Sequence, residues 1–131
     1  MGLWRFRDYV SSRGIDVIEE WYSSLPKRSQ VAFRQRLMHL RDRPQSEWES
    51  PSAKPYAKRL PDGIWEIRFL KDDVQHRPLG FFGPRAGEFT LLMGAAEKGG
   101  RFVPRDARRK AVQRKSEVQG DRRRAHDCPF A

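Results

Sequence analysis

Between residues 44 and 55, PQSEWESPSAKP, the hydrophobic period of the chain changes. The stretch holds three prolines and three serines, the composition of a loop. Upstream the apolar residues recur at helical spacing. Val17, Trp21 and Leu25 stand at i, i+4 and i+8, and Phe33, Leu37 and Leu40 repeat the pattern. Downstream the period is two. The chain therefore reads as a helical part followed by a strand-rich part, which points to an α+β domain with segregated elements.

Local signals divide these parts. LWRFRD, residues 3–8, alternates and suits a short strand. Asp16 followed by Glu19 has the spacing of a capping box and predicts a helix start. Pro26 ends that helix and opens a second through residues 26–42, so the two form a helical hairpin. YAKRL, the turn Pro61-Asp62-Gly63 and IWEIRFLK read as a β-hairpin. VQHRPLGFFG is a third strand, with Pro78 implying a bulge or an edge. EFTLLMGAA is a fourth, ended by Lys98-Gly99-Gly100-Arg101, and a basic helix follows from Pro104. The expected order is β-α-α-β-β-β-β-α, with residues 1–118 as one domain and 119–131 as a flexible basic tail. Trp65, Ile67 and Phe69, with Leu79 and Phe81 or Phe89, Leu91 and Met93, are expected to face the helical hairpin. Trp48 is the aromatic most open to solvent on this reading, or else an anchor for its loop.

Charge narrows the partners. The chain has 131 residues, with 27 Lys+Arg against 17 Asp+Glu and a net charge of +10. Such an excess attracts polyanions, above all nucleic acid. No apolar run approaches the roughly 20 residues that span a bilayer, so no membrane is expected. One cysteine, Cys128, excludes an internal disulfide and suits a reducing cytoplasm. No phosphate-binding loop, dinucleotide fingerprint or metallohydrolase motif is present, and neither a cofactor nor a metal is expected.

Candidate chemistry therefore rests on cations carried by strands: Lys58, Arg68, Arg77, Lys98 and Arg101. Clustered Arg and Lys clamp a phosphodiester and stabilise the added charge of its pentacoordinate transition state. RNA supplies its own nucleophile, the 2′-hydroxyl. Metal-free cleavage then needs a base, an acid and a cationic clamp. Glu66 or a lysine is the candidate base. His76 is a candidate acid or base, although alternation sets it opposite Arg77. Glu66 and Arg68 read equally well as a surface ion pair.

Lys58-Arg59-Leu60, DGIWEIRF, HRPLGFF and EFTLLMGAAEKGGRFVPRDA, taken in this order, resemble the RelE/ParE superfamily of type II toxins, in its phage-derived HigB-like branch. The resemblance runs over residues 3–118 in element order and is specific over 56–110. It implies a small RelE-like fold: an N-terminal strand and helical hairpin on a curved, mainly antiparallel sheet of four to five strands, with a C-terminal basic helix. It implies a ribosome-dependent, metal-independent mRNA endonuclease that arrests translation. Its partners would be mRNA on the ribosome, a cognate helix-turn-helix antitoxin, and operator DNA through the antitoxin complex alone. Position by position, Lys58, Glu66, Arg68 and Arg77 match the catalytic strand motif, while Arg59, Lys98 and Arg101 match RNA-binding positions. Glu97 stands where a second lysine is frequent, and Gly94-Ala95-Ala96 carries no counterpart of the late tyrosine or histidine. The same superfamily includes DNA gyrase inhibitors without nuclease chemistry, the alternative activity, and a third reading is a basic nucleic-acid-binding protein.

Overall fold

Asp16 opens the first helix as its spacing requires. In the computed structural model, which describes residues 2–130, one carboxylate oxygen of Asp16 accepts from the backbone N–H groups of Ile18 at 3.0 Å and Glu19 at 2.8 Å. These are two of the donors that a first helical turn leaves unpaired. Helix α1 spans Val17–Ser24 and α2 spans Lys27–Arg41, with Pro26 between them at the α2 N-cap. The ring of Pro26 costs nothing there, because an N–H at that position has no helical acceptor. On α2 the stripe read from the sequence, Phe33, Leu37 and Leu40, is fully buried; on α1 the fully buried residue is Ile18, beside the expected stripe, of which Val17 and Trp21 pack half-buried against the core.

The strands are β1 (Arg5–Tyr9), β2 (Ala57–Arg59), β3 (Trp65–Ile67), β4 (Phe69–Lys71), β5 (Val74–His76), β6 (Leu79–Phe82), β7 (Glu88–Met93), β8 (Ala96–Lys98), β9 (Arg101–Val103) and β10 (Ala125–Asp127); helix α3 (Ala107–Gly120) lies between the last two. They form a six-stranded sheet, β10-β1-β7-β6-β3-β2, and a four-stranded sheet, β4-β5-β8-β9. All pairings are antiparallel except β1 with β7. The domain is thus α+β, but with two sheets where one of four to five strands was expected.

The second sheet arises from a crease. Three runs read as single strands each break at one level: β3 to β4 at Arg68, β5 to β6 at Arg77-Pro78, and β7 to β8 at Gly94-Ala95. Pro78 has no N–H for a ladder, so a break there follows from its chemistry. Across the crease the backbone stays tied, through Arg68 N–H to the Tyr56 carbonyl and Arg77 N–H to the Ala95 carbonyl, both at 2.8 Å. The β4–β5 turn places both Asp72 and Asp73 at positive φ, 50° and 64°, the conformation of a type I′ hairpin turn.

The large sheet is covered on both faces. Trp65, Ile67, Phe69, Phe89 and Leu91 pack with the α1–α2 hairpin, as expected. Leu79, Phe81 and Met93 do not join them; they pack with Ala107, Ala111 and Val118 of α3. The bulge where β6 meets β7, at Leu79/Gly80, shifts the alternation and turns Met93 to the α3 side. Trp48 is not exposed. It is fully buried, with its ring centroid 4.7 Å from that of Phe82 and 4.9 Å from that of Phe89, and its indole N–H donates to the Arg43 carbonyl.

Residues 119–130, expected as part of a flexible tail, are built into the fold. Residues 119 and 120 complete α3, and β10 pairs antiparallel with β1. Asp127 takes ion pairs from Arg5 at 2.6 Å and Arg7 at 2.9 Å, and Phe130 stacks on Tyr22 with centroids 3.8 Å apart. Cys128 is buried.

Candidate functional site at the crease

Register decides which cations meet. On the β2–β3 pair Lys58 stands opposite Glu66 and Arg59 opposite Trp65. Lys58 and Glu66 therefore share one face and Arg59 lies on the other. There the Arg59 guanidinium sits 5.1 Å above the Trp65 ring and 3.8 Å from Glu49. Arg59 is an RNA-binding position by resemblance, yet it lies outside the site; cation–π contact and Glu49 occupy it.

Arg68 and Arg77 come together because both sit at the crease. Glu66 Oε2 lies 3.3 Å from Arg68 Nε and 3.6 Å from Arg77 Nε. Arg77 Nε lies 3.4 Å from Glu97. Two acids and two bases thus alternate along one line, Arg68–Glu66–Arg77–Glu97. Glu66 is 6% exposed and Arg77 5%, so this is no surface ion pair. Arg77 is further held by its own guanidinium, which donates to the His76 carbonyl at 3.0 Å and to Gln75 at 2.8 Å. Its Nε, however, finds no acceptor at hydrogen-bonding geometry. The pairing is electrostatic and leaves donor capacity unspent.

Burial sets the proton chemistry. It pushes the Glu66 carboxyl above its ordinary value; Arg68 and Arg77 pull the other way, and Glu97 adds to the rise. A carboxylate moved toward neutrality is a better proton acceptor at neutral pH. His76 faces away from this line. It is buried, stacked on Phe69 with centroids 4.6 Å apart, and held below its ordinary value by burial and then by Arg77. His76 is part of the apolar packing and no acid for the site.

Two clefts flank Arg68. One, of about 190 Å³, is lined by Lys58, Glu66, Arg68, Glu97, Arg101 and Phe102. The other, of about 250 Å³, is lined by Arg36, Lys54, Arg68, Gln75 and Arg77. Lys98 lines neither; alternation along β8 sends it away from Glu97. Arg101 lines the first. Among the described residues lining the two clefts there is no histidine or tyrosine.

Arg36, Lys54, Glu97 and Phe102 complete the site without having been singled out for it. Arg36 reaches the crease from α2, its guanidinium 4.5 Å from the Tyr56 ring centre, with one terminal nitrogen buried and unpartnered. In the sequence it is one of several basic residues on α2, and no spacing distinguishes it. In the sequence Glu97 stands out only as an acid where the resemblance implies a lysine. Its position is explained here, because it neutralises Arg77. Gly94 is explained too: a Cβ on it would lie 2.0 Å from Trp21 Cγ, so the indole occupies the place a larger residue would need.

A wider cleft, about 600 Å³, lies elsewhere, along the β10–β1 edge. Its arginines are mostly spent: Arg5 and Arg7 bind Asp127, and Arg123 binds Asp121 at 3.0 Å. The crease keeps free donors and a buried carboxylate, so it is the better candidate despite its smaller volume.

Compared with family models, curated proteins and solved structures, the chain has no match in any of the three.

Proposed function

We propose that the chain is the toxin of a type II toxin–antitoxin pair, a metal-independent endoribonuclease that cleaves mRNA on the ribosome. The observation that carries this reading is Glu66, buried and held within 3.6 Å of two arginine guanidinium groups at the rim of a cationic cleft. A phosphodiester seated there meets Lys58, Arg68 and Arg101. Their charge favours the pentacoordinate state over the starting diester, since that state carries more negative charge. Glu66 accepts the 2′-hydroxyl proton, the oxygen attacks phosphorus, and the 5′-oxygen departs with a proton from water or from Lys58. Arg77, itself buried, keeps Glu66 in place. Phe102, half-buried on the cleft wall, offers a face for a nucleobase.

The resemblance at Lys58, Glu66, Arg68 and Arg77 supports the same reading, and with it a RelE-like core, a helix-turn-helix antitoxin and a cytoplasmic site of action. No helix is long and apolar enough to cross a membrane.

A second reading, DNA gyrase inhibition without cleavage, is favoured by one observation: the clefts lack an imidazole or phenol to act as acid. Inducing the chain in bacteria and mapping mRNA 5′ ends separates the two. Cleavage on the ribosome gives breaks phased to codons, abolished by Arg68→Ala with the fold retained. Intact mRNA with lost supercoiling sinks the nuclease and supports the inhibitor.

A further inference from the structure

At the opposite edge of the large sheet, three residues from distant parts of the chain converge. Asp8 on β1 is the register partner of His126 on β10, so their side chains share one face. Asp16, at the start of α1, is brought to the same place because Val10 bridges to it just after β1. One ligand atom from each of the three lies within 4.8 Å of the others. Cys128, two residues beyond His126, is buried beside Asp8 and Asp16.

Asp8 is the anomaly. It is fully buried, and neither carboxylate oxygen has a partner at hydrogen-bonding distance and angle, although Asp16 and the Cys128 thiol lie beside it. Burial without partners strongly disfavours the charged form of a carboxyl group, and a chain of net charge +10 has cations to spare. None is placed here. Arg7, its neighbour, points to the other side and binds Asp127 and the Ala125 carbonyl. The second acid is half occupied: one oxygen of Asp16 caps α1, and the other lies 2.6 Å from His126 Nε2. What the arrangement lacks is one compact positive charge between two carboxylates and an imidazole.

We propose that Asp8, Asp16 and His126 bind a divalent transition-metal ion of the Zn²⁺ class. An imidazole with two carboxylates suits Zn²⁺ better than Mg²⁺, which prefers oxygen ligands and retains its waters. The ion replaces the proton shared by His126 and Asp16 and supplies the partner that Asp8 lacks. His126 is half-exposed, with 52% of its side chain open to solvent, and gives the ion a way in. The site is structural. It ties β1, the start of α1 and β10 together, at the far end of the sheet order from β3 and β2, so it takes no part in the chemistry proposed for the crease.

The test uses the whole chain, freed of metal by a chelator and titrated with ZnCl₂ by calorimetry, with MgCl₂ as control. His126→Ala and Asp8→Asn are titrated alongside; Asp16 is left intact because it caps α1. The expected result is one Zn²⁺ per chain, a melting temperature raised by about 5 °C or more on saturation, and affinity weakened at least about tenfold in each variant. Absence of one-to-one Zn²⁺ binding by the wild-type chain overturns the proposal, as does one-to-one binding that survives either substitution or a response to MgCl₂ equal to that to ZnCl₂. The exposed position of His126 keeps the test sound if Asp8→Asn folds poorly, since His126→Ala decides it alone.

Discussion

Gly94 shows how tightly one residue constrains the crease. A Cβ there would sit 2.0 Å from Trp21 Cγ and 2.3 Å from Cδ1, far inside contact distance. Trp21 is itself wedged edge-on against Phe33, with centroids 5.0 Å apart, so the indole has little room to retreat. Gly94→Ala is expected to cost about 1–3 kcal/mol, the usual range for overpacking, read as a lowered urea midpoint. Pairing it with Trp21→Leu should recover most of the loss, because the two changes act through one contact. Equal losses with and without Trp21 would refute the clash. His76 makes a second residue-scale prediction. Its imidazole is buried with Nε2 unpartnered, and its pKa is lowered by burial and Arg77. A base whose folded pKa lies below its unfolded value gives stability that is complete above the unfolded value, about 6.5. That stability is lost as pH falls toward the folded value, because unfolding then takes up a proton. Between pH 7.5 and 5 the urea midpoint of the wild-type chain should therefore fall relative to that of His76→Phe; Asp8 and Glu66, whose folded carboxyls lie above their ordinary values, act in the opposite direction in both proteins and cancel in the comparison. Parallel curves would show that His76 does not titrate on unfolding.

At the scale of elements, the strand β10 carries the clearest prediction. Deleting residues 121–131 removes the pairing of Arg7, Asp8 and Tyr9 with Asp127, His126 and Ala125, the burial of Cys128 and the Tyr22–Phe130 stack. It also leaves β1 as an open edge, a template for pairing between chains. The truncated chain should unfold at lower urea and scatter light at concentrations where the full chain does not. A truncated chain as stable and as clear in solution as the full one would mean that the strand is ornamental. Nothing in Ala125-His126-Asp127 announced this strand. Three residues are too few to show a period, and the partner strand lies more than 115 positions away in the sequence. The helices were legible for the opposite reason. Their apolar stripes repeat over several turns, and the Asp16 cap is a local interaction. The strand runs were legible as well, but not their shared break. Arg68 and Arg77 look like ordinary alternate positions until three neighbouring strands crease together, and a crease is a property of the sheet. Lys58, Arg68, Arg77 and Arg101 stand out in the sequence as cations carried by strands, and Glu66 as the acid beside Arg68, whereas Arg36 and Lys54, delivered by α2 and a loop, carry no such signal. Arg59 and Lys98 fell on the wrong face by one residue of alternation.

The charge of the whole molecule sets what a polyanion meets first, but not where it stays. Cations lie on several surfaces, and two clefts compete: the crease and the wider β10–β1 groove. In the groove Arg5, Arg7 and Arg123 already face carboxylates. An incoming phosphate must displace those partners, which cancels much of the gain. At the crease one Arg36 nitrogen and Arg77 Nε are buried without an acceptor, and Arg68 shares a single carboxylate with Arg77. Single-stranded RNA should therefore settle across Arg68, spanning both flanking clefts. Each phosphate neutralised there releases counterions, and the logarithm of the binding constant falls with the logarithm of salt by about 0.7 per contact. For a short, uncleavable oligonucleotide with 2′-deoxy substitutions, Arg36→Ala with Arg68→Ala should flatten that dependence by about 1.4 and weaken binding at every salt concentration. Arg85→Ala with Arg122→Ala, in the wider groove, should leave the slope nearly unchanged. Fluorescence anisotropy between low and physiological salt measures both. If the groove pair flattens the slope and the crease pair does not, the RNA lies on the other edge of the sheet, and the assignment of Arg68 as a phosphate clamp falls with it.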